Sequence, residues 1–298
     1  MAERERVAFL GLGIMGWPQA ANIAHAGFDL TVWNRTRNRG EQFCAEHSAH
    51  LAATAQEAAA SADVTITMVP DVPEVEAVIF GERGAAAGLR EGTLAIDMST
   101  IAPDASLSIG QRLREQRVGF LDAPVSGSRP KAEDGTLTIM VGGEAADFER
   151  ARPVLEAMGQ LVVHVGPQGH GSLVKLINNT LAAINAAALG EALLLAERAG
   201  VDTEALREVV AASSGSSTML ALKAGPMLDH DYEPLFKLEH MLKDVRHYLA
   251  TAKASGISTS LGTAAERLYA QADRQGLGGS DFAAVMSAIE GASSGHST

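Results

Sequence analysis

Short apolar runs alternate with longer amphipathic or alanine-rich stretches along the first half of the chain. Runs rich in β-branched and aromatic residues fall at Arg6–Leu10, Asp29–Trp33, Val64–Val69, Thr93–Asp97, Gly119–Asp122, Leu137–Val141 and Leu161–Val165. Their length and composition predict strands. Helical patterns lie between most of them, for example Ile14–Ala26, Arg37–His47 and Pro103–Glu115. This alternation predicts a doubly wound, mostly parallel sheet with helices on both faces, and the run from Gly135 to Gly143 is expected at the end of that sheet.

After Val165 the strand patterns stop. Gly166-Pro-Gln-Gly-His-Gly171 is a turn-rich junction. Ser172–Ala199 contains no proline and one glycine, Gly190, which predicts a helix roughly 42 Å long at 1.5 Å per residue. Further helices are expected at Thr203–Ser213, Leu238–Ser255, Ser258–Gln275 and Asp281–Glu290. The chain thus divides into an α/β domain over 1–165, an all-α domain over 166–292 and a disordered tail over 293–298.

Composition narrows the function classes. With 298 residues, 46% of them hydrophobic, two domains can each bury a core. A single cysteine, Cys44, excludes an intrachain disulfide, and the absence of Cys/His clusters argues against a metal site. A reducing, cytoplasmic setting is expected. Lys and Arg number 24 against 36 Asp and Glu, a net charge of −12; nucleic acid is not an expected partner. The charged start, Met1-Ala-Glu-Arg-Glu-Arg, lacks a signal-peptide apolar region, and no membrane span is expected.

The first strand runs directly into Gly11-Leu12-Gly13-Ile14-Met15-Gly16, the G-x-G-x-x-G of a Rossmann βαβ unit. Gly11 permits the tight turn, Gly13 lets backbone N–H groups approach a pyrophosphate, and Gly16 allows helix and strand to pack closely. The helix N-terminus faces the anion with its unpaired donors. A dinucleotide is therefore the expected cofactor. At the end of the second strand, where an NAD site usually carries an acid, stand Asn34, Arg35 and Thr36, followed by Arg37 and Arg39. Arg35 offers a planar fork for a 2′-phosphate, and Asn34 and Thr36 add donors. NADP(H) is preferred, with NAD(H) as second choice. Met68, Val69 and Pro70 end the third strand and Thr100 follows the fourth, so they are expected along the cofactor crevice.

Two segments carry candidate chemistry. Ser126-Gly127-Ser128 follows the fifth strand; its hydroxyls and N–H groups suit a substrate carboxylate, although an ordinary polar turn reads the same way. In Gly171-Ser-Leu-Val-Lys175-Leu-Ile-Asn-Asn179, Lys175 and Asn179 are i and i+4 and share a helix face among apolar neighbours. A buried lysine there would have a lowered pKa and could exchange a proton; a snorkelling surface lysine is the alternative. Lys243-Asp244 looks like a charge pair on a solvated helix face.

Taken together, Gly11–Gly16, Asp122-Ala-Pro-Val-Ser-Gly127, Gly171–Asn179 and Lys243-Asp244 make the chain resemble the β-hydroxyacid dehydrogenase family over nearly its whole length. The resemblance implies that Lys175 is the catalytic lysine. It implies that Ser126, Gly127 and Asn179 contact the substrate, and that Lys243 approaches both nicotinamide and substrate. Val32-Trp-Asn-Arg-Thr36 and the serine at 128 look like the glyoxylate/succinic semialdehyde reductase branch. Thr136–Gly143 and Asn178-Asn179 look more like the hydroxyisobutyrate branch.

The expected reaction is hydride transfer between the cofactor and a small carboxylate-bearing hydroxy acid or its semialdehyde or keto acid, in a homodimer or homotetramer. An imine reductase on the same scaffold and a non-catalytic NADP-binding module are the alternatives; Lys175 counts against both. Trp17, beside the glycine loop, departs from the family pattern and has no role in this reading.

Overall fold

The computed structural model describes residues 5–294. Contacts divide the chain into two compact units, 1–175 and 176–298.

The first unit is built on nine strands: β1 Val7–Leu10, β2 Leu30–Trp33, β3 His50–Leu51, β4 Val64–Thr67, β5 Leu94–Asp97, β6 Gly119–Asp122, β7 Val125–Ser126, β8 Leu137–Gly142 and β9 Gly159–Gly166. They form one sheet in the order β3-β2-β1-β4-β5-β6-β8-β7, with β9 also on β8. Pairing is parallel from β3 through to β6, antiparallel where β8 meets β6 and β7, and parallel again between β8 and β9. The first six strands have the doubly wound order, whose switch point lies between β1 and β4. Every residue of β1, β4 and β5 is buried, which is why these strands read as unbroken apolar runs rather than as alternation.

The helices of this unit are α1 Gly16–His25, α2 Arg37–Glu46, α3 Ala55–Ser61, α4 Val72–Phe80, α5 Pro103–Glu115, α6 Ser128–Glu133 and α7 Ala145–Glu156. Their starts are locally encoded. Thr54 caps α3 by accepting from the Glu57 N–H, and α4 and α5 carry proline in the first turn, where no amide donor is needed. A core around Phe9, Ile23, Val32, Phe43, Ile66 and Phe148 packs helices on the sheet.

Helix α8, His170–Ala199, leads from the first unit into the second. By length and composition it could cross a bilayer, but 44% of its apolar window is buried within the protein. Its Gly190 lies against Ile289 and Met286, where a Cβ would come within 2.9 Å of Ile289.

The second unit continues with α9 Thr203–Ala211, α10 Thr218–Leu228, α11 Leu238–Ala254, α12 Ser260–Ala272 and α13 Val285–Ser294. Its core gathers Tyr269, Met241, Leu242, Met286 and Phe282. Among these apolar residues sits a buried ion pair, Lys223 Nζ to Asp281 Oδ1 at 2.6 Å. Asp281 also accepts from the N–H groups of Leu235, Phe236 and Ala283, and the Lys223 ammonium lies 4.3 Å from the Phe282 ring centroid.

Two expectations need correction. The helix expected over Ser258–Gln275 stops at Ala272 and gives way to a wide turn in which Gly276 takes φ +88°. The last helix runs to Ser294, two residues into the segment expected to be a disordered tail; residues 295–298 lie outside the described residues. Helix α10 has no counterpart in the sequence reading.

Candidate active site

The glycine loop has the geometry a dinucleotide needs. Gly11 adopts φ +107°, and a Cβ there would lie 2.4 Å from the Met68 carbonyl oxygen. At Gly16 a Cβ would lie 1.9 Å from the Gly11 carbonyl oxygen. Both glycines are required by close backbone approach. Gly13 is the opposite case: nothing lies within 4 Å of where its Cβ would be, so the loop is open on that side. A side chain there would occupy the space through which a pyrophosphate reaches the loop amides and the start of α1. The residues present therefore fit a dinucleotide. Ile14 is exposed beside this opening and Met15 is half-buried.

The end of β2 braces the loop. Asn34 Oδ1 accepts from the Leu12 N–H at 2.9 Å, while Asn34 Nδ2 donates to the Thr36 carbonyl at 3.0 Å. Arg39 Nε donates to the Leu12 carbonyl, so the Leu12 residue is held at both its N–H and its C=O. The Arg39 guanidinium carbon lies 4.9 Å from the Trp17 ring centroid, and Trp17 stands edge-on to Phe43 at 5.1 Å. This gives Trp17 a structural role: it is a shelf for the arginine that holds the loop. Sequence reading saw both residues without connecting them, because α1 and α2 bring them together only in the fold. Arg35 and Thr36 are exposed, and Arg37 is engaged by Glu41 at 2.8 Å.

Beyond β4 and β5, a buried carboxylate organises the strand ends. Asp97 Oδ1 accepts from Thr67 Oγ1 at 2.6 Å and from Ser99 Oγ at 2.7 Å; Ser99 Oγ in turn accepts from the Val69 N–H at 3.0 Å. This chain of bonds fixes the segment that Met68, Val69 and Pro70 occupy. Burial pushes the Asp97 carboxyl up to about 6, against the opposing pull of the Thr67 and Ser99 donors. Thr100, three residues beyond β5, is half-buried.

Ser126 ends β7, paired with Thr138 of β8. Gly127 adopts φ +139°, and a Cβ there would meet the Lys131 side chain at 2.6 Å. Ser128 sits at φ +56°, a left-handed conformation uncommon for a residue other than glycine. Such strain persists where surrounding structure imposes it and is frequent at ligand sites. Arg117 and His230 adopt the same left-handed conformation.

Lys175 is buried, with 7% of its surface exposed. It is not the snorkelling lysine that was the alternative reading. The start of its helix is tied to the sheet: Asp122, at the end of β6, accepts from the N–H groups of Gly169 at 2.8 Å and Ser172 at 2.6 Å. Burial pushes the Asp122 carboxyl up while those two N–H groups pull it down. His170, the first residue of α8, is exposed.

In the second unit, Asn179 is also buried, one helical turn beyond Lys175 along α8. Asn179 Nδ2 donates to Asp244 Oδ2 at 2.7 Å, and its Oδ1 accepts from Asn178 Nδ2 at 3.1 Å. Lys243 Nζ lies 3.2 Å from Asp244 Oδ1. The expectation of a solvated charge pair at 243 and 244 is thus incorrect. Asp244 is fully buried and Lys243 mostly so, because Asn179 supplies the donor that lets the carboxylate leave water. Asp122, Asp244 and Asp97 are the residues that sequence reading missed. Asp122 and Asp244 lay inside quoted motifs, but their partners are 50 and 65 residues away.

Comparison with known proteins agrees with this geometry. Residues 6–166 match the family described as the NAD binding domain of 6-phosphogluconate dehydrogenase, and residues 169–289 match the NAD-binding domain of NADP-dependent 3-hydroxyisobutyrate dehydrogenase. The chain is 35% identical to glyoxylate/succinic semialdehyde reductase 2, chloroplastic, from Arabidopsis thaliana, over 97% of this chain and 80% of that protein. It is 36% identical to the NAD-dependent L-serine dehydrogenase of Pseudomonas aeruginosa, over 95% and 97% of the two chains. Among solved structures, Mycobacterium tuberculosis 3-hydroxyisobutyrate dehydrogenase with L-serine superposes with a TM-score of 0.88 at 32% identity, covering 96% of this chain and 99% of that one. The chain belongs to the β-hydroxyacid dehydrogenase family and is an NAD(P)-dependent oxidoreductase.

Proposed function

We propose that the protein interconverts a small β-hydroxy acid, or a related short-chain hydroxy acid, with its semialdehyde or keto acid, using NADP(H) in preference to NAD(H). The observation that carries this reading is Lys175, a buried lysine on a helix whose first turn is held by the sheet. When bound, the nicotinamide supplies or accepts the hydride. In the reducing direction Lys175 Nζ gives a proton to the developing alkoxide oxygen; in the oxidising direction its neutral amine takes the hydroxyl proton. Positioned acid–base help of this kind contributes about 10²–10⁴-fold. Ser126 and Gly127, with Ser128, hold the substrate carboxylate. Asn179 holds the substrate hydroxyl, and Lys243 meets substrate and nicotinamide.

The cofactor preference rests on the end of β2. Asn34 replaces the acid that would repel a 2′-phosphate, and both ends of its amide are already bonded within the protein. Arg35 is exposed beside it. The named relatives use different cofactors, so this chain's own residues carry the choice.

The test is a panel of glyoxylate and succinic, methylmalonic and tartronic semialdehydes, each followed with NADPH and with NADH. Turnover of at least one acid, with kcat/KM higher for NADPH, is the expected result. No turnover across the panel, or tighter use of NADH, contradicts the proposal.

The same reading includes a homo-oligomer, supported by Ile177, Leu181 and Leu195, which α8 leaves exposed at 40%, 57% and 71%. Light scattering that returns a monomer mass contradicts that part.

A further inference from the structure

We propose that Asp122 is a positioning residue for Lys175, a role that rests on Lys175 being the acid–base group. Asp122 does not reach the reacting atoms. It fixes the helix that carries the residue that does.

Helix α8 starts at His170. The residue before its first turn is Gly169, at φ +88°, which has no side chain to accept a hydrogen bond. Asp122 supplies the acceptors from the end of β6. Its Oδ1 receives the Gly169 N–H at 2.8 Å and Gln168 Nε2 at 2.9 Å; its Oδ2 receives the Ser172 N–H at 2.6 Å. One carboxylate thus takes the Ser172 N–H in the first turn together with the Gly169 N–H just before it, and its charge suits the positive end of the helix.

The fit leaves no room to slide. A Cβ on Gly171 would lie 2.5 Å from the carbonyl oxygens of Asp122 and Met140, and a Cβ on Gly142 would lie 2.5 Å from Asp122 Oδ1. The first turn of α8 is pressed onto the ends of β6 and β8, and Lys175 stands one turn beyond the tethered Ser172. Loss of the tether would let that turn shift or fray. A displacement of about 1 Å of a catalytic group can cost about 10²-fold in rate.

The experiment is a double-mutant cycle on single-turnover hydride transfer, read as NADPH oxidation with succinic semialdehyde as the probe. Asp122→Asn keeps the shape of the side chain but turns one acceptor into a donor facing a backbone N–H. It is expected to lower the rate about 10–100-fold while NADPH affinity stays within about twofold. In a Lys175→Ala background the same change is expected to alter the residual rate by less than about twofold, because the group it positions is gone. Equal losses in both backgrounds would mean Asp122 serves the fold alone and would overturn the proposal, as would full activity in Asp122→Asn.

Full activity in Lys175→Ala would instead overturn the acid–base assignment, and this role with it. If Asp122→Asn fails to fold, Gln168→Met carries the same comparison. It removes one donor to Asp122 and leaves both backbone N–H bonds; a loss of about threefold that vanishes without Lys175 is the expected result. A loss that persists without Lys175, or no loss at all, overturns the proposal.

Discussion

Asn179 Nδ2 donates to Asp244 Oδ2 at 2.7 Å, and the two residues are 5% and 0% exposed. Together with the bond its Oδ1 accepts from Asn178 Nδ2, this bond fixes the orientation of the Asn179 amide. It also lets Asp244 remain buried with Lys243 3.2 Å away. Asp244→Leu removes the acceptor and leaves a buried donor unpaired, at a cost of about 1–3 kcal/mol. The expected result is a fall in kcat/KM of about 10–100-fold, with Asp244→Asn staying within about threefold because an amide oxygen can still accept. Steady-state kinetics on the two variants checks this, and an unchanged kcat/KM in Asp244→Leu would contradict it.

Asp97 makes a pH prediction. Its carboxyl is raised from an ordinary 3.8 to about 6 by burial. Between those values the folded protein binds a proton that the unfolded chain has released. Its contribution to stability is therefore present below about pH 4 and is lost as pH rises through about 6. At about 1.36 kcal/mol per pH unit, the change approaches 3 kcal/mol. Asp97→Asn has no proton to lose. Denaturant unfolding of the wild type across this window should show stability falling relative to Asp97→Asn; parallel curves would refute the assignment.

The Lys223–Asp281 pair is 5% and 3% exposed at its side chains. Lys223→Met leaves Asp281 buried with three backbone donors and no counter-charge. Breaking such a pair from one side costs about 3–5 kcal/mol. Calorimetry or denaturant melts should register a loss of that size; a loss under about 1 kcal/mol would mean the pair is not desolvated in solution.

Much of this was legible before any fold was known, and the reasons differ by residue. The glycine loop could be read because its constraints are local: a strand, a tight turn and a helix start within ten residues. Strands β1, β4 and β5 could be read because both faces are buried and their composition shows it. Strands β3 and β7 could not, since each has two residues and exists only through its neighbours. Helix α10 was hidden by Gly225 and Pro226, which read as breakers but fall in its last turn. Lys175 and Asn179 were visible from i,i+4 spacing, whereas the burial of Lys243-Asp244 was not, because Asp244 leaves water only when Asn179 arrives from another helix. Trp17 was visible as an oddity; its meaning depends on Arg39 and Phe43, which the fold alone brings to it.

In the proposed reaction Lys175 moves the proton while other residues bind the cofactor. Lys175→Ala tests it most directly, with NADPH affinity measured by fluorescence titration and kcat measured with the best acid of the panel. A kcat lowered by about 10²–10⁴-fold with NADPH affinity within about twofold is the predicted result. Turnover close to that of the wild type would contradict the account.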